Sequence, residues 1–332
     1  MTIARTSPPA KLNLFLEIPA RRHDGYHAID TVMTAIDWRD ELTVESVADP
    51  QVTLTADWLP SAAAIADQLG LDHDKSQAPE LLRIPTGPKN LVVMALEAFR
   101  RRFGIRSGFH ATLEKRIPAG AGMGGASSDA AHAISCAAQI HQLTNETKTL
   151  HEIAASIGSD VPFFLPTGDP ATEIAVNAAG LAAHATGRGE RITPLQMRTS
   201  IHFVVAYPAV SLSTAAVYGR LIVPERPVSS SLFRAALQRG DVAGMSATMM
   251  NRLSEPALEI LPQLGDLLES LWQSGLQPCQ LTGSGSACYG IANDGPHAQG
   301  VVKRLLIELQ PGVLLRAART VSAAAPIEIE PS

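Results

Sequence analysis

The sequence predicts an α+β fold in two domains. Apolar residues recur with period 2 in some segments and near 3.6 in others, interspersed without the regular alternation of a doubly wound sheet. A length of 332 residues with 45% hydrophobic content suits one large or two medium domains around buried cores. A small-residue, loop-like stretch over 165–189 divides the chain, and a boundary within 165–200 leaves each half its own sheet. The domains are accordingly drawn at 1–180 and 181–332.

The elements follow in order. In residues 10–18, Leu12, Leu14, Leu16 and Ile18 alternate with Lys11, Asn13, Phe15 and Glu17, which makes a strand with one apolar face. Asp24-Gly25 marks a turn, and 31–36 and 40–47 read as further strands of an antiparallel meander. Residues 56–89 carry Pro60, Pro79, Pro85 and Pro88 and read as an excursion with a short helix near 62–69. Leu91, Met94, Ala95, Ala98 and Phe99 fall at helical spacing, and 108–115 alternates again. A Gly-rich loop leads into an Ala-rich run over 126–143 without Gly or Pro, a good helix. A shorter helix over 150–157 ends at Gly158. The second half holds strands at 202–206, 287–292 and 313–320. Its helices fall at 229–239, 242–253, 259–274 and 298–308. Residues from Ser322 onward read as a frayed tail.

Composition excludes several classes. A formal net charge of -5 gives no basic footprint for nucleic acid, although a local phosphate site needs none. Cys136, Cys279 and Cys288 are odd in number and widely spaced, which argues against a disulfide framework and for a reducing cytoplasm. The first residues lack the apolar core of a signal peptide, and no stretch approaches the roughly 20 apolar residues of a membrane helix.

Five segments carry candidate chemistry. In Lys115 to Asp129, four glycines fall within six residues and a helix follows at once. Glycine lets the backbone approach a ligand, and free N–H groups at a helix start attract phosphate. Ser127 and Ser128 are placed to cap that helix or offer hydroxyls to phosphate or Mg²⁺. A tight turn with a serine cap uses the same residues, but needs fewer glycines. Gly120, Gly122 and Gly125 also fit G-x-G-x-x-G, yet no second strand follows the helix, and no Gly-Lys-Ser/Thr follows the loop. Asp160, between a helix end and Val161-Pro162-Phe163-Phe164, suits either a turn or a carboxylate that positions an attacking hydroxyl. Lys11 and Asn13 are solvated strand residues unless Lys11 meets Asp160, where its charge would keep the carboxylate ionised. His23 and His27 stand at i and i+4, but Asp24-Gly25 breaks any helix that would make them a metal pair. Tyr26 offers a face for a base and His27 a hydrogen-bonding edge; both also suit a plain surface. The Gly/Ser loop over 281–287 is either a second phosphate-lining loop or a turn between helix and strand.

Taken in this order, these segments resemble the 4-diphosphocytidyl-2-C-methylerythritol kinases, members of the galactokinase–homoserine kinase–mevalonate kinase (GHMP) superfamily. The resemblance rests on Pro8-Pro9-Ala10-Lys11-Leu12-Asn13-Leu14, Asp24-Gly25-Tyr26-His27, Pro118 to Asp129, Gly158-Ser159-Asp160-Val161-Pro162 and Leu281 to Ala287. It implies a two-domain fold: an N-terminal nucleotide-binding domain like domain 2 of ribosomal protein S5, a ferredoxin-like C-terminal domain, and a cleft between them. It implies an ATP site formed by Asn90, Lys115, Pro118, Ala119, Gly120, Ala121, Gly122, Met123, Gly124, Gly125, Ala126, Ser127 and Ser128. Lys11 and Asp160 match the catalytic pair, and Asn13, Tyr26, His27, Thr214, Thr282 and Gly283 fall to the substrate. ATP with Mg²⁺ is the implied cofactor, and a cytidine-diphosphate-linked methylerythritol the small-molecule partner. A monomer or weak homodimer, free of nucleic acid and membrane, is expected.

Four departures stand out. Met123 replaces an expected Leu and Ala126 an expected Gly, and the excursions 56–89 and 167–184 are longer than the pattern implies. Three rivals are weighed: a nicotinamide-dependent oxidoreductase, a non-catalytic relative, and a kinase for another alcohol. The missing second strand argues against the first. Lys11 with Asp160 argues against the second, and Tyr26 with His27 against the third.

Overall fold

The strand expected to have one wet face is buried on both. In a computed structural model describing residues 2–71, 80–166, 182–309 and 312–331, β2 (Pro9–Arg21) is buried from Pro9 through Ile18. It lies inside a sheet, between β3 (His27–Arg39) on one edge and the short β10 (Met250–Asn251) on the other. Lys11, Asn13 and Glu17 are therefore buried polar residues, each requiring a partner. Glu17 takes Arg252 Nε and Nη2, both at 2.7 Å.

The remaining elements, in chain order, are β1 (Thr2–Thr6), β4 (Glu41–Val47), β5 (Val52–Trp58), α1 (Ala62–Gln68), α2 (Leu91–Phe103), β6 (Gly108–Lys115), α3 (Gly125–Ile140) and α4 (Thr147–Ile157). Then come β7 (Ala182–Gly187), β8 (Arg191–Leu195), β9 (His202–Pro208), α5 (Thr214–Arg220), α6 (Ser231–Arg239) and α7 (Val242–Thr248). After β10 follow α8 (Ser254–Ile260), α9 (Gln263–Gln273), β11 (Cys279–Leu281), β12 (Cys288–Ala292), α10 (Gly295–Glu308), β13 (Val313–Val321) and β14 (Ile327–Pro331). One sheet runs β14-β1-β4-β6-β5. The other runs β10-β2-β3-β13-β9-β12-β11, with β7 also on β3 and β8 on β7.

This topology corrects the expectation of one sheet per half. β2 and β3 come from the first half, yet β13 joins β3 to β9 through Thr320↔Ile36 and Val321↔Ala35. The loop-like reading of 165–189 is also corrected at its end, where 182–187 form β7. Ala182, Ala183 and Ala185 are wholly buried there; alanine is a poor strand former, and packing overrides its preference. The helix expected over 259–274 is two, because Pro262 has no N–H to continue the first. The helix expected over 242–253 ends at Thr248 to free β10. The tail is not frayed: Ile327 and Ile329 alternate with glutamates and β14 pairs with β1, Arg5 meeting Glu330. Most of 167–184 lies outside the described residues.

α2 and α3 cover the five-stranded sheet. α3 presents Ala130, Ala131, Ala133, Ala137 and Ala138, all 0–1% exposed, so it sits close against its neighbours. Among the described residues no helix is long and apolar enough to cross a membrane.

Candidate active site

β6 ends at Lys115, and the chain then loops over 116–124 into α3. Gly124 is the N-cap residue of α3 in left-handed conformation, and no side chain caps the helix, which corrects the capping role expected of Ser127 and Ser128. The first helical bond is Ser128 N to Gly124 O at 2.9 Å, so the amides of 125–127 have no helical acceptor, as at helix starts that attract anions. The loop lines a cavity of about 240 Å³, together with Trp58, Arg83, Asn90 and Asp129. All the residues predicted for ATP line it except Ser128, which is buried beneath. Asn90 caps α2, accepting from Val92 N at 2.8 Å and donating to Pro85 O at 2.7 Å.

Two glycines of the loop have no substitute. Gly122 has φ +74, and a Cβ there would sit 2.1 Å from the carbonyl oxygen of Thr282. Gly124 has φ +68, and a Cβ would press on Lys11 Cγ at 3.0 Å. The loop is thus clamped between β2 and the second Gly/Ser loop.

Lys115 occupies a buried triad that sequence reasoning missed in part. Its Nζ meets Asp40 and, at 2.7 Å, Asp129. Asp40 also accepts from Arg116 N at 2.5 Å and Ile117 N at 2.8 Å, fixing the backbone that enters the loop. Burial alone would lower the Lys115 pKa, but Asp129 and Asp40 outweigh it and hold it up. Burial and the neighbouring Asp40 push Asp129 up, against Lys115. Asp129 Oδ1 is a buried oxygen without a hydrogen-bond partner. Asp40 carried no motif; only its place at a strand boundary was legible.

Lys11 and Asp160 meet. Nζ lies 3.5 Å from Oδ2, with the lysine side chain 4% exposed and the carboxylate 30%. Lys11 is held by Asn13 Oδ1 at 2.5 Å, and its own amide donates to Met123 O at 2.9 Å. Burial lowers the Lys11 pKa, and the Asp160 charge opposes it. Asp160 precedes a short 3₁₀ turn, Val161–Phe164, whose apolar side chains are buried and anchor it.

Beside this pair opens a cleft of about 1130 Å³, lined by Tyr26, His27, Ser159 and Thr214 among others. Tyr26 is 57% exposed. Arg188 lies over its ring at 5.1 Å, and the His27 and Tyr218 rings are 5.0 Å apart. Burial, and then the Asp160 charge, raise the Tyr218 pKa to about 12. Arg188 and Tyr218 line the cleft and were missed, because a lone Arg or Tyr between small residues carries no periodic signal. Three residues given to the substrate lie elsewhere. Asn13 is buried with its amide donating to Thr31 at 2.9 Å. Thr282, also buried, donates to Asn13 Oδ1 and Gly122 O, both at 3.3 Å, and Gly283 lies against Gly122. They brace the loop and do not line the cleft.

A glycine-rich loop at a helix start, a lysine–carboxylate pair against it and an aromatic cleft together form an arrangement that suits phosphoryl transfer. Residues 90–168 match the family model described as GHMP kinases N terminal domain, and 233–309 that of GHMP kinases C terminal. A 4-diphosphocytidyl-2-C-methyl-D-erythritol kinase of Rhodopirellula baltica is 45% identical over 331 residues, 98% of this chain and 97% of that one. The chain belongs to the GHMP kinases. It is an ATP-dependent small-molecule kinase. A kinase from Thermobifida fusca bearing the same name as the Rhodopirellula protein is 32% identical to this chain over 302 residues, 90% of this chain and 89% of that one. A crystal structure of 4-(cytidine 5'-diphospho)-2C-methyl-D-erythritol kinase superposes with a TM-score of 0.69 at 28% identity, covering 95% and 99%. Homoserine kinase from Cytophaga hutchinsonii shares the GHMP fold, with a TM-score of 0.67 at 16% identity over 99% and 97%.

Proposed function

We propose that this kinase transfers the γ-phosphoryl group of ATP to the 2-hydroxyl of 4-diphosphocytidyl-2-C-methyl-D-erythritol, in the non-mevalonate route to isoprenoids. The observation that carries this is the Lys11–Asp160 pair, 3.5 Å apart, with Lys11 packed on Gly124 of the phosphate loop and Asp160 beside the Tyr26 cleft. Transfer needs the hydroxyl held in line with the γ-phosphate and the developing charge offset. Asp160 orients the hydroxyl and takes its proton as the bond to phosphorus forms and the bond to the β-phosphate oxygen breaks. Lys11 offsets charge at the same point. No covalent enzyme intermediate is needed. Tyr26 offers the face for a cytosine ring, His27 a polar edge, and Thr214 a hydroxyl at the mouth of α5.

Among the described residues no cluster of three His, Cys, Asp or Glu could cage a metal. Mg²⁺ carried in on the phosphates would find the hydroxyl-bearing Ser127 on the wall of the nucleotide cavity. Bound there, it would neutralise phosphate charge. The reading takes a monomer or weak homodimer working in the cytoplasm, which the use of ATP supports.

The test is ADP release with ATP, Mg²⁺ and the cytidyl substrate, with mevalonate and homoserine in parallel. Turnover with the cytidyl substrate alone is expected. Release with another alcohol instead would discard the roles of Tyr26 and His27, and no release with any of them would discard the catalytic reading.

A further inference from the structure

Residues 115–117 run between two cavities. Lys115 and Ile117 line the nucleotide cavity, whereas Arg116 lines a second one of about 500 Å³. That volume falls within the roughly 300–1,000 Å³ usual for small-molecule sites. Its walls are apolar through Leu59, Ile65, Leu314 and Leu315, and Arg116 and Arg316 put two guanidiniums on it. Arg116 is matched by Glu41 at 2.8 Å. Arg316 has no carboxylate within ion-pair distance among the described residues. Its guanidinium lies over the Trp38 ring at 5.5 Å and donates only a long 3.5 Å bond to the Asp37 carbonyl. The Asp37 carboxylate accepts from Arg319 N at 2.8 Å and lies 3.6 Å from Arg319 Nε. Asp37 therefore acts on Arg316 only through space while it serves Arg319, and Arg116 works against Arg316, so the two half-buried guanidiniums on this apolar cavity share too little negative charge and keep the capacity for a further anion.

We propose that this cavity is a second ligand site, for a small molecule with a phosphate or diphosphate head and an apolar body, and that Arg316 anchors the head with Arg116 beside it. Two guanidinium forks match such a head in geometry and charge. The site is wired to the first. Trp38 Nε1 donates to Arg116 O at 2.9 Å, and Arg116 N donates to Asp40, which also holds Lys115. A head group that draws Arg116 from Glu41 therefore acts on the strand end that frames the nucleotide cavity.

Titration calorimetry with hexyl diphosphate tests this, on the full chain with the nucleotide cavity filled by a saturating non-hydrolysable ATP analogue. One molecule is expected to bind per chain. Arg316→Ala is expected to weaken binding at least tenfold while leaving the KM for ATP of the free enzyme unchanged, and Arg316→Lys to fall between. Absence of binding once the analogue is present means the probe only competes for the phosphate loop, and overturns the proposal. Undiminished binding to Arg316→Ala means the probe sits elsewhere, the Tyr26 cleft included, and also overturns it.

Discussion

At the scale of single residues, the site is a set of buried charges whose partners are close and few. Asp160→Asn removes the carboxylate proposed to take the proton but keeps the shape of the turn, so turnover is expected to fall by about 10² or more with nucleotide binding retained. Single-turnover rates and ATP-analogue affinity, measured together, check this; wild-type-like turnover would remove Asp160 from the chemistry. Lys115→Met leaves Asp40 and Asp129, 0% and 2% exposed in their side chains, without their cation. Breaking a buried ion pair of this kind costs about 3–5 kcal/mol, which urea unfolding of the variant should register. The motifs made Lys11, Asp160 and Lys115 legible as candidates. What they could not give was the meeting of Lys11 with Asp160, or the depth of Lys11, because a strand of alternating character looks half-wet until its neighbours cover the second face. Asp40 and Arg188 are singletons in sequence and acquire meaning only from what lies across from them.

At the scale of elements, the phosphate loop and α3 act as one piece. Gly122→Ala puts a methyl where the Thr282 carbonyl stands and holds a non-glycine residue at φ +74. The left-handed backbone alone costs roughly 1–2 kcal/mol. The expected result is at least a tenfold loss of ATP-analogue affinity with an unchanged far-ultraviolet circular dichroism spectrum. Unaltered affinity would show that the loop tolerates displacement. The loop and the start of the helix were read to within a residue or two, since glycine and alanine act through local conformational preference, whereas the helix end expected at 143 falls at Ile140. β7, β8 and β14 were not, because alanine-rich or short strands are held by their sheet neighbours and not by their own propensity.

At the scale of the whole molecule, His132 ties α3 to the chain's far end. Its Nε2 accepts from Ala325 N at 3.0 Å and its Nδ1 is 2.8 Å from Ser128 O, an arrangement that only the neutral ring satisfies. Burial lowers its pKa to about 4. The unfolded chain then binds a proton that the folded one refuses between about pH 6.5 and 4, so stability is full above that window and drains as pH falls through it. The difference amounts to about 3 kcal/mol. Unfolding curves of the wild type and His132→Gln across pH 4 to 7 should diverge by that order; parallel curves would refute it. The shared nine-strand sheet was illegible for the same reason the His132 contact was: both join segments far apart in sequence, and no local pattern records such a meeting.

The Gly122–Thr282 clasp spans 160 residues of sequence. Contacts of such separation form late, after the loop between them has closed. During refolding from urea, recovery of nucleotide affinity should therefore lag behind the return of helical signal, and the chain should pass through a stage that is structured yet blind to ATP.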